Sequence, residues 1–294
     1  MSDGTAALDR LRALIDDALA TLSFGESGDV APLAEAMRYS LLAGGKRVRP
    51  VLCLATAEGF GRAAADVLPT ALALELVHTF SLVHDDLPAL DDDALRRGRP
   101  TAHVRYGEDI AVLAGDALLN HAFALVCDVQ GGPAAHRLAT LRELSSAVGL
   151  LGMIGGQYRD VRPEETLDAG ALERTSRLKT GALLGACAAC GAILADAGDG
   201  DIATARAFGV ELGLLFQIVD DVLDETGDDD ALGKPAGSDA RRGRRTFASE
   251  LGLEGARTRA AASERTAREL LAELPASAQA PLDALVSLVA TRDR

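Results

Sequence analysis

Apolar residues recur at three- and four-residue spacing along almost the whole chain, while alternating runs rich in Val, Ile and Thr are scarce. Such spacing places the apolar side chains on one face of a helix. It predicts helices at Leu8–Leu22, Pro32–Ala43, Arg49–Gly59, Leu68–Leu87, Asp109–Val129, Ala134–Gly152, Leu167–Ala195, Ile202–Asp224, Leu251–Leu274 and Ala280–Ala290. A high alanine content favours helix further. The pattern therefore predicts an all-α protein.

Breaks between these helices are few. Gly131-Gly132-Pro133 is typical of a short turn between helices. The longest irregular stretch, Gly227–Arg245, is rich in Gly, Asp and Arg and is either a lid over a site or a surface loop. Since no shift in composition marks a linker, residues 1–294 are expected to form one large helical bundle.

Composition narrows the classes of function. The chain has 30 Lys and Arg against 44 Asp and Glu, a net charge of −14, which disfavours general binding to nucleic acid. Apolar residues make up 48%, too many for a disordered chain. Charges interrupt the Ala/Leu-rich start, so no secretory signal is expected, and no membrane span is predicted.

The four cysteines lie in apolar surroundings. Cys187 and Cys190 have the spacing of a redox pair or of half a zinc site, but no second Cys/His pair at zinc-finger spacing accompanies them. Cys53, Cys127, Cys187 and Cys190 are therefore expected to be buried structural thiols in a cytoplasmic protein.

Two clusters of aspartates follow directly on apolar helical sequence. Burying uncompensated carboxylates there would cost several kcal/mol each, so a cation is expected beside them. Carboxylate oxygens suit Mg²⁺, which shares its coordination shell with substrate phosphates. The clusters consist of Asp85, Asp86 and Asp91, and of Asp220, Asp221 and Asp224. The alternative is that both are polar helix ends whose charges face water.

Spacing indicates how each cluster is arranged. Asp220 and Asp224 are four residues apart and share a helix face. Asp85 and Asp91 would lie about 120° apart on an ideal helix. Pro88 disfavours helix at the residue before it, so a local break is expected to bring Asp85 and Asp91 together.

Basic residues complement the aspartates. Lys46, Arg47 and Arg49 lie on a glycine-opened turn ahead of a helix, where free N–H groups and cations favour a diphosphate. Further cations occur at Arg96, Arg97, Arg99, Lys179, Lys234, Arg244 and Arg245. Each competes with a plain surface-charge interpretation. Local basic clusters beside carboxylates indicate a diphosphate site that uses a metal ion.

Five motifs occur in order, and together they resemble the trans-isoprenyl diphosphate synthases, also called polyprenyl synthetases, with most similarity to bacterial farnesyl diphosphate synthases. The motifs are Gly44–Pro50, His84–Asp91, Gly155–Asp160, Lys179–Gly181 and Gln217–Asp224. The resemblance implies an all-α fold around a deep central cavity, usually in a homodimer. It also implies head-to-tail condensation of isopentenyl diphosphate with allylic diphosphates.

The resemblance implies a role for each candidate residue. Three Mg²⁺ ions would be held by Asp85, Asp86, Asp91, Asp220, Asp221 and Asp224. The allylic diphosphate would be bound by Arg96, Lys179 and Lys234. Isopentenyl diphosphate would be bound by Gly45, Lys46, Arg49, His78 and Arg97. Lys179, Thr180 and Gln217 are the expected catalytic residues, the last two stabilising the carbocation through their oxygens.

Two positions depart from the family pattern. Arg244 stands where the family usually has a lysine, and Phe247 where it has a tyrosine. Arginine can also bind a diphosphate, but its geometry and hydration differ from those of lysine. These differences concern closure of the loop more than the class of reaction.

Phe80 is the expected determinant of product length. It lies five positions before Asp85, about one and a half helical turns deeper. An aromatic residue there resembles the short-chain pattern of the family, and Ser81 beside it is small. A C15 product is therefore favoured over C20 or C10. The alternatives outside chain elongation are a terpene cyclase, a non-catalytic subunit of the same fold and an acidic helical interaction protein.

Overall fold

A computed structural model of the chain describes residues 3–25, 28–162, 169–226 and 245–291. This part is almost entirely helical, which confirms the predicted all-α class. The helices are α1 (Asp3–Thr21), α2 (Ala31–Leu41), α3 (Val48–Gly59), α4 (Ala64–Asp85), α5 (Ala102–Tyr106), α6 (Glu108–Ala124), α7 (Ala134–Val148), α8 (Met153–Val161), α9 (Ala169–Ser176), α10 (Ala182–Leu194), α11 (Asp199–Thr226), α12 (Phe247–Ala272) and α13 (Ala276–Ala290).

Shorter elements complete the described chain. A 3₁₀ turn at Gly28–Val30 precedes α2, and π-helical turns at Leu125–Val129 and Arg177–Gly181 follow α6 and join α9 to α10. The strands β1 (Leu95–Arg96) and β2 (Arg99–Pro100) pair antiparallel as a small hairpin. The sequence pattern predicted neither this hairpin nor α8, because both are too short to show a clear period.

Pro69 lies inside α4, although the pattern predicted it near the helix start. A proline lacks the N–H that continues the helical hydrogen bonds. The side chain of Gln130 bridges the backbone on either side: Thr70 N–H donates to Gln130 Oε1 at 3.2 Å, and Gln130 Nε2 donates to Asp66 O at 2.7 Å. Gln130 therefore stabilises the helix that presents the first aspartate cluster.

The main hydrophobic core extends from Leu8 on α1 to Val289 on α13, so both ends of the described chain pack into it. Cys53, Cys187 and Cys190 are buried in this core, as predicted. The prediction is wrong for Cys127, which is exposed, because the π-helical turn after α6 buries Leu125 and Val126 and turns Cys127 outward.

Five helical segments of the described chain are long and apolar enough, by length and composition alone, to cross a membrane. They are Ala64–Asp85, Glu108–Val129, Ala134–Val161, Gly170–Leu194 and Asp199–Thr226. The apolar windows of the first and fourth are 67% and 78% buried against the rest of the protein. The absence of a membrane span thus stays a prediction.

Glycines allow α10 and α11 to approach closely. A Cβ at Gly209 would lie 2.4 Å from Leu184 O, and a Cβ at Gly213 would lie 2.6 Å from Gly181 Cα. Neither distance is tolerable for a real side chain, and the obstructing atoms are backbone. Glycine at these positions therefore lets α11 approach the backbone of α10 and of the turn before it.

Gly209→Ala is expected to lower the free energy of unfolding by about 1–3 kcal/mol, because the added methyl group forces α10 and α11 apart. Urea denaturation followed by circular dichroism measures the change. Gly200→Ala is the matched control on α11, since nothing lies within 4 Å of a Cβ there. Equal stability of the two variants would contradict the importance of the close contact.

Candidate active site

The first aspartate cluster lies in a turn that ends α4. The helix stops at Asp85, before Pro88, and the chain folds back so that Asp91 N–H donates to Asp85 O at 2.8 Å. Asp93 N–H donates to Asp86 O at 3.2 Å in the same turn. The expected break therefore exists, and it returns Asp91 to the end of the helix.

The carboxyl group of Asp85 is in an unfavourable environment for its charge. Its pKa is raised to about 6, mainly by burial and also by the nearby carboxylates of Asp91 and Asp86. Lys179 and Arg96 oppose this shift by lowering the pKa. Carboxylates and cations from separate parts of the chain thus act on the Asp85 carboxyl group. A bound cation would stabilise its charged form.

Asp86 pairs with Arg96 on strand β1. Arg96 Nε donates to both Asp86 oxygens, at 2.7 and 3.0 Å, and Arg96 Nη2 lies 2.6 Å from Oδ1. Burial raises the pKa of Asp86, while these hydrogen bonds lower it. Both Asp86 oxygens thus accept hydrogen bonds from Arg96, and the metal role expected of Asp86 stays a prediction.

The π-helical turn between α9 and α10 presents Lys179. Its Nζ lies 2.6 Å from Asp160 Oδ2 on α8. A Cβ at Gly156 would lie 2.2 Å from Lys179 N, so glycine is required for α8 to pack this closely. Asp160 was not among the predicted site residues, although it ends the Gly155–Asp160 motif, which was the available signal.

Thr180, in the π-helical turn before α10, meets Gln217 of α11. Thr180 Oγ1 donates to Gln217 Oε1 at 3.2 Å, and Gln217 Nε2 donates to Asp221 Oδ1 at 2.8 Å. The other Asp221 oxygen accepts from Phe247 N–H at 2.8 Å, at the start of α12. Asp221 therefore orients Gln217 and anchors α12, and the metal role expected of it stays a prediction.

Asp220 and Asp224 lie on the same stretch of α11 as Gln217, one turn apart, as their spacing predicted. Asp224 is buried and Asp220 half-buried. Gln217 accepts a hydrogen bond from Thr180, which follows Lys179 in the chain. The charge of Lys179 in turn lowers the pKa of Asp85. The structure thus links both predicted aspartate clusters to one basic turn.

A group of arginines surrounds His78 on α4. Burial lowers its pKa well below the usual value, and the charges of Arg49, Arg97, Arg96 and Arg47 lower it further. His78 is therefore neutral at pH 7 and presents a hydrogen-bonding imidazole among four cations. The predicted grouping of Arg49, His78 and Arg97 is present, and an anion is the ligand that such a group favours.

Arg97 occupies the tip of the hairpin. Arg97 and Gly98 have φ values of 54° and 73°, which suit the tight two-residue turn of a hairpin. The Arg97 guanidinium donates to Gly44 O and fills the space beside Gly45, where a Cβ would lie 2.8 Å from its nitrogens. Gly45 thus allows Arg97 to contact the turn before α3.

Lys46 lies apart from this group. It is exposed and lines a cavity of about 610 Å³ between α1 and α13. Arg12 of α1 donates to Gly45 O at 3.2 Å beside it. The structure therefore brings the predicted Arg49, His78 and Arg97 together but places the Lys46 side chain towards another cavity.

A buried ion pair anchors the turn that contains these residues. Arg47 has a φ of 52°, and its guanidinium lies 2.5 Å from Glu75 and 2.9 Å from Asp16. It also donates to Leu41 O at 3.2 Å. Arg47 and Glu75 are both buried. Sequence analysis did not identify Glu75, because spacing cannot show which charges will pair inside a core.

Phe80 is buried on α4, below Asp85, as the sequence indicated. Ser81 Oγ donates to His78 O at 2.9 Å, so its hydroxyl group turns back to its own helix.

Lys234, Arg244 and most of the long polar segment lie outside the described residues. Among those that are described, no three His, Cys, Asp or Glu side chains form a group able to hold a metal ion alone.

Residues 30–284 of the chain match the polyprenyl synthetase family profile. The chain belongs to the polyprenyl synthetase family. This membership confirms the resemblance that the five motifs indicated.

Relatives within the family differ in product name. The chain is 46% identical to the chloroplastic geranylgeranyl pyrophosphate synthase of Catharanthus roseus, over 88% of its own length and 73% of the relative's. It is 44% identical to the farnesyl diphosphate synthase of Bacillus subtilis, over 89% of both chains. These values are too close to separate the two activities.

Solved structures of prenyltransferases share the fold. A Helicobacter pylori geranyltransferase, crystallised with magnesium and isoprenyl diphosphate, matches 98% of both chains with a TM-score of 0.88 and 30% identity. An FPP/GFPP synthase from Zymomonas mobilis matches 98% of this polyprenyl synthetase and 99% of its own chain, with a TM-score of 0.86 and 34% identity.

The environment of Asp85 predicts a conflict between stability and function. Its folded-state pKa, about 6, lies above the ordinary value of 3.8, so the folded state holds a proton that the unfolded state has already lost. Stability of the magnesium-free protein is therefore expected to fall as pH rises from about 4 to about 6.

Asp85→Asn is expected to remove this dependence and to raise the free energy of unfolding at pH 7 by about 1–3 kcal/mol. The measurement is denaturation of both proteins in EDTA across that pH range. Asp128→Asn, at an exposed position, is the control. A mutant less stable than wild type at pH 7 would contradict the prediction.

Proposed function

We propose that this polyprenyl synthetase is a magnesium-dependent head-to-tail prenyltransferase. It condenses isopentenyl diphosphate with dimethylallyl or geranyl diphosphate and releases farnesyl diphosphate and diphosphate. The observation that supports the proposal most directly is the convergence on Asp85 of carboxylates from the same turn with Lys179 and Arg96 from other elements.

The carboxylates fit magnesium. Asp85 and Asp91 are drawn together by the turn, and burial together with the nearby carboxylates raises the pKa of Asp85, so a bound cation would favour its charged form. Mg²⁺ usually binds through one or two carboxylates, with waters and substrate phosphates completing its shell. We propose that Asp85 and Asp91, with Asp220 and Asp224 opposite, hold three such ions, while Asp86 and Asp221 position their neighbours.

The allylic diphosphate would lie between these aspartates and the cations Arg96 and Lys179. Bound magnesium would supply electrostatic stabilisation to the departing diphosphate. Arg96, fixed by Asp86, and Lys179, fixed by Asp160, would add positive charge at defined positions. Such preorganised charge lowers the barrier to breaking the allylic C–O bond. Lys234 and Arg244 are proposed to join them from the polar segment.

Thr180 and Gln217 would face the resulting carbocation. Gln217 is oriented by Asp221, and its oxygen accepts from Thr180. Their oxygens would stabilise the cation until the double bond of isopentenyl diphosphate attacks it. A proton then leaves the new chain, with released diphosphate as the proposed acceptor. No protein nucleophile is required.

Isopentenyl diphosphate would bind in the basic group. Arg49, Arg97 and neutral His78 are close enough for their charges to interact, and Gly45 gives Arg97 access to the turn. Lys46 is exposed, and its long side chain has several rotatable bonds. We propose that it turns from the cavity beside α1 towards the bound diphosphate.

Product length is proposed to end at C15 because Phe80 blocks the floor below Asp85. The residue is buried, and Ser81 adds little volume. A geranylgeranyl product remains the competing candidate, supported by the 46% identity to a geranylgeranyl pyrophosphate synthase.

Elongation is tested with the purified protein, labelled isopentenyl diphosphate, Mg²⁺ and each allylic primer, followed by sizing of the products. The expected product is C15, and EDTA is expected to abolish it. Asp91→Asn should lower kcat by at least about a hundredfold, because a charge beside the reacting diphosphate is lost. Asp128→Asn should leave kcat unchanged. No product with any primer would refute the proposed reaction, and a C20 product would refute the length.

We further propose that the protein forms a homodimer through α6 and the corner between α7 and α8. Val112 and Leu113 on α6 are 40% and 51% exposed, and Leu150 and Leu151 are 83% and 86% exposed. A subunit interface over these exposed apolar side chains would remove them from water. A cytoplasmic location is proposed as well, because the four cysteines form no disulfide.

Light scattering after size exclusion is expected to give twice the 30.5 kDa chain mass. Leu113→Glu should shift the protein towards monomer, because a buried charge opposes association. Leu42→Glu, at a position 40% exposed beyond α2, is the control and should stay dimeric. A wild-type protein of single-chain mass would refute the dimer.

A further inference from the structure

The ring of His84 lies against the ring of Phe80, one turn earlier on α4. Their centroids are 4.9 Å apart and their planes meet at 75°, the edge-to-face arrangement that aromatic pairs favour. Side chains on a helix lean towards its N-terminus. His84 therefore covers the side of Phe80 nearer to Asp85.

Helix α6 fixes the other side of His84. Its Nε2 lies 3.0 Å from Val112 O, and since a carbonyl only accepts, Nε2 is the donor. A Cβ at Gly115 would lie 2.1 Å from Nε2, so glycine leaves the space that the imidazole occupies. Asp116 Oδ1 lies 3.9 Å from the same nitrogen. The ring is thus held between α6 and Phe80.

We propose that His84 is a positioning residue for product length and acts through Phe80. The inference rests on the proposed function, in which Phe80 stops chain growth. Phe80 can block a growing chain only while its ring stays in one rotamer, and Ser81 is too small to block in its place. His84 removes the space into which the Phe80 ring would swing.

The test measures the ratio of products longer than C15 to C15, which does not depend on total activity. His84→Ala is expected to raise this ratio roughly 2- to 10-fold, the range given by loss of one edge-to-face aromatic contact. Gly115→Ala should raise it as well, because the added methyl group displaces the imidazole.

Two substitutions separate the ring contact from the hydrogen bond. His84→Gln keeps a donor for Val112 O but loses the ring, and it should raise the ratio. His84→Phe keeps a ring against Phe80, and it should retain the wild-type ratio. The matched control is His121→Gln on α6, which removes a similar edge contact to Phe24, 5.0 Å away, and should change nothing.

Phe80→Ala distinguishes failure of the inference from failure of the proposed function. If wild type makes C15 and Phe80→Ala lengthens it, but His84→Ala and His84→Gln keep the wild-type ratio, the positioning role is wrong. The role is also wrong if His84→Ala raises the ratio equally in the Phe80→Ala background. If Phe80→Ala leaves the product at C15, the proposed block itself is wrong.

Discussion

The rest of the site depends on one constraint: several carboxylates are held close together at the partly buried end of α4. Asp85 lies there with Asp91 folded back onto it, and burial raises the Asp85 pKa to about 6. Isolated, this arrangement is destabilising. The protein tolerates it because Arg96 and Lys179 offset part of the charge, and because a magnesium–diphosphate ligand would offset the rest.

Each cation in that arrangement is itself held by an acidic partner. Arg96 is fixed by Asp86 and Lys179 by Asp160. These pairs hold the cations at defined positions near Asp85. The excess of acidic residues in the composition is thus compatible with a site for polyanions, since the positive charge is local and positioned. The −14 net charge describes the whole surface rather than the site.

Helix packing then sets the geometry of the reaction site. Glycines at Gly156 and Gly213 let α8 and α11 approach the turn that presents Lys179 and Thr180. Gln217 reaches Thr180 only because of that approach. Close packing also places the rings beneath the first aspartate cluster, since Gly115 leaves room for His84, which in turn contacts Phe80.

The sequence by itself determined the helical class, the two aspartate clusters and the break before Pro88, because periodicity, charge and proline act locally. It also determined the family, since the motifs occur in order. Only the tertiary structure decided that Asp86 and Asp221 accept hydrogen bonds from other parts of the protein, and that Lys46 lies beside α1. It also showed that Glu75, Asp160 and His84 contact residues of the site. Those roles depend on which side chains meet across helices, and spacing along one chain does not specify such meetings.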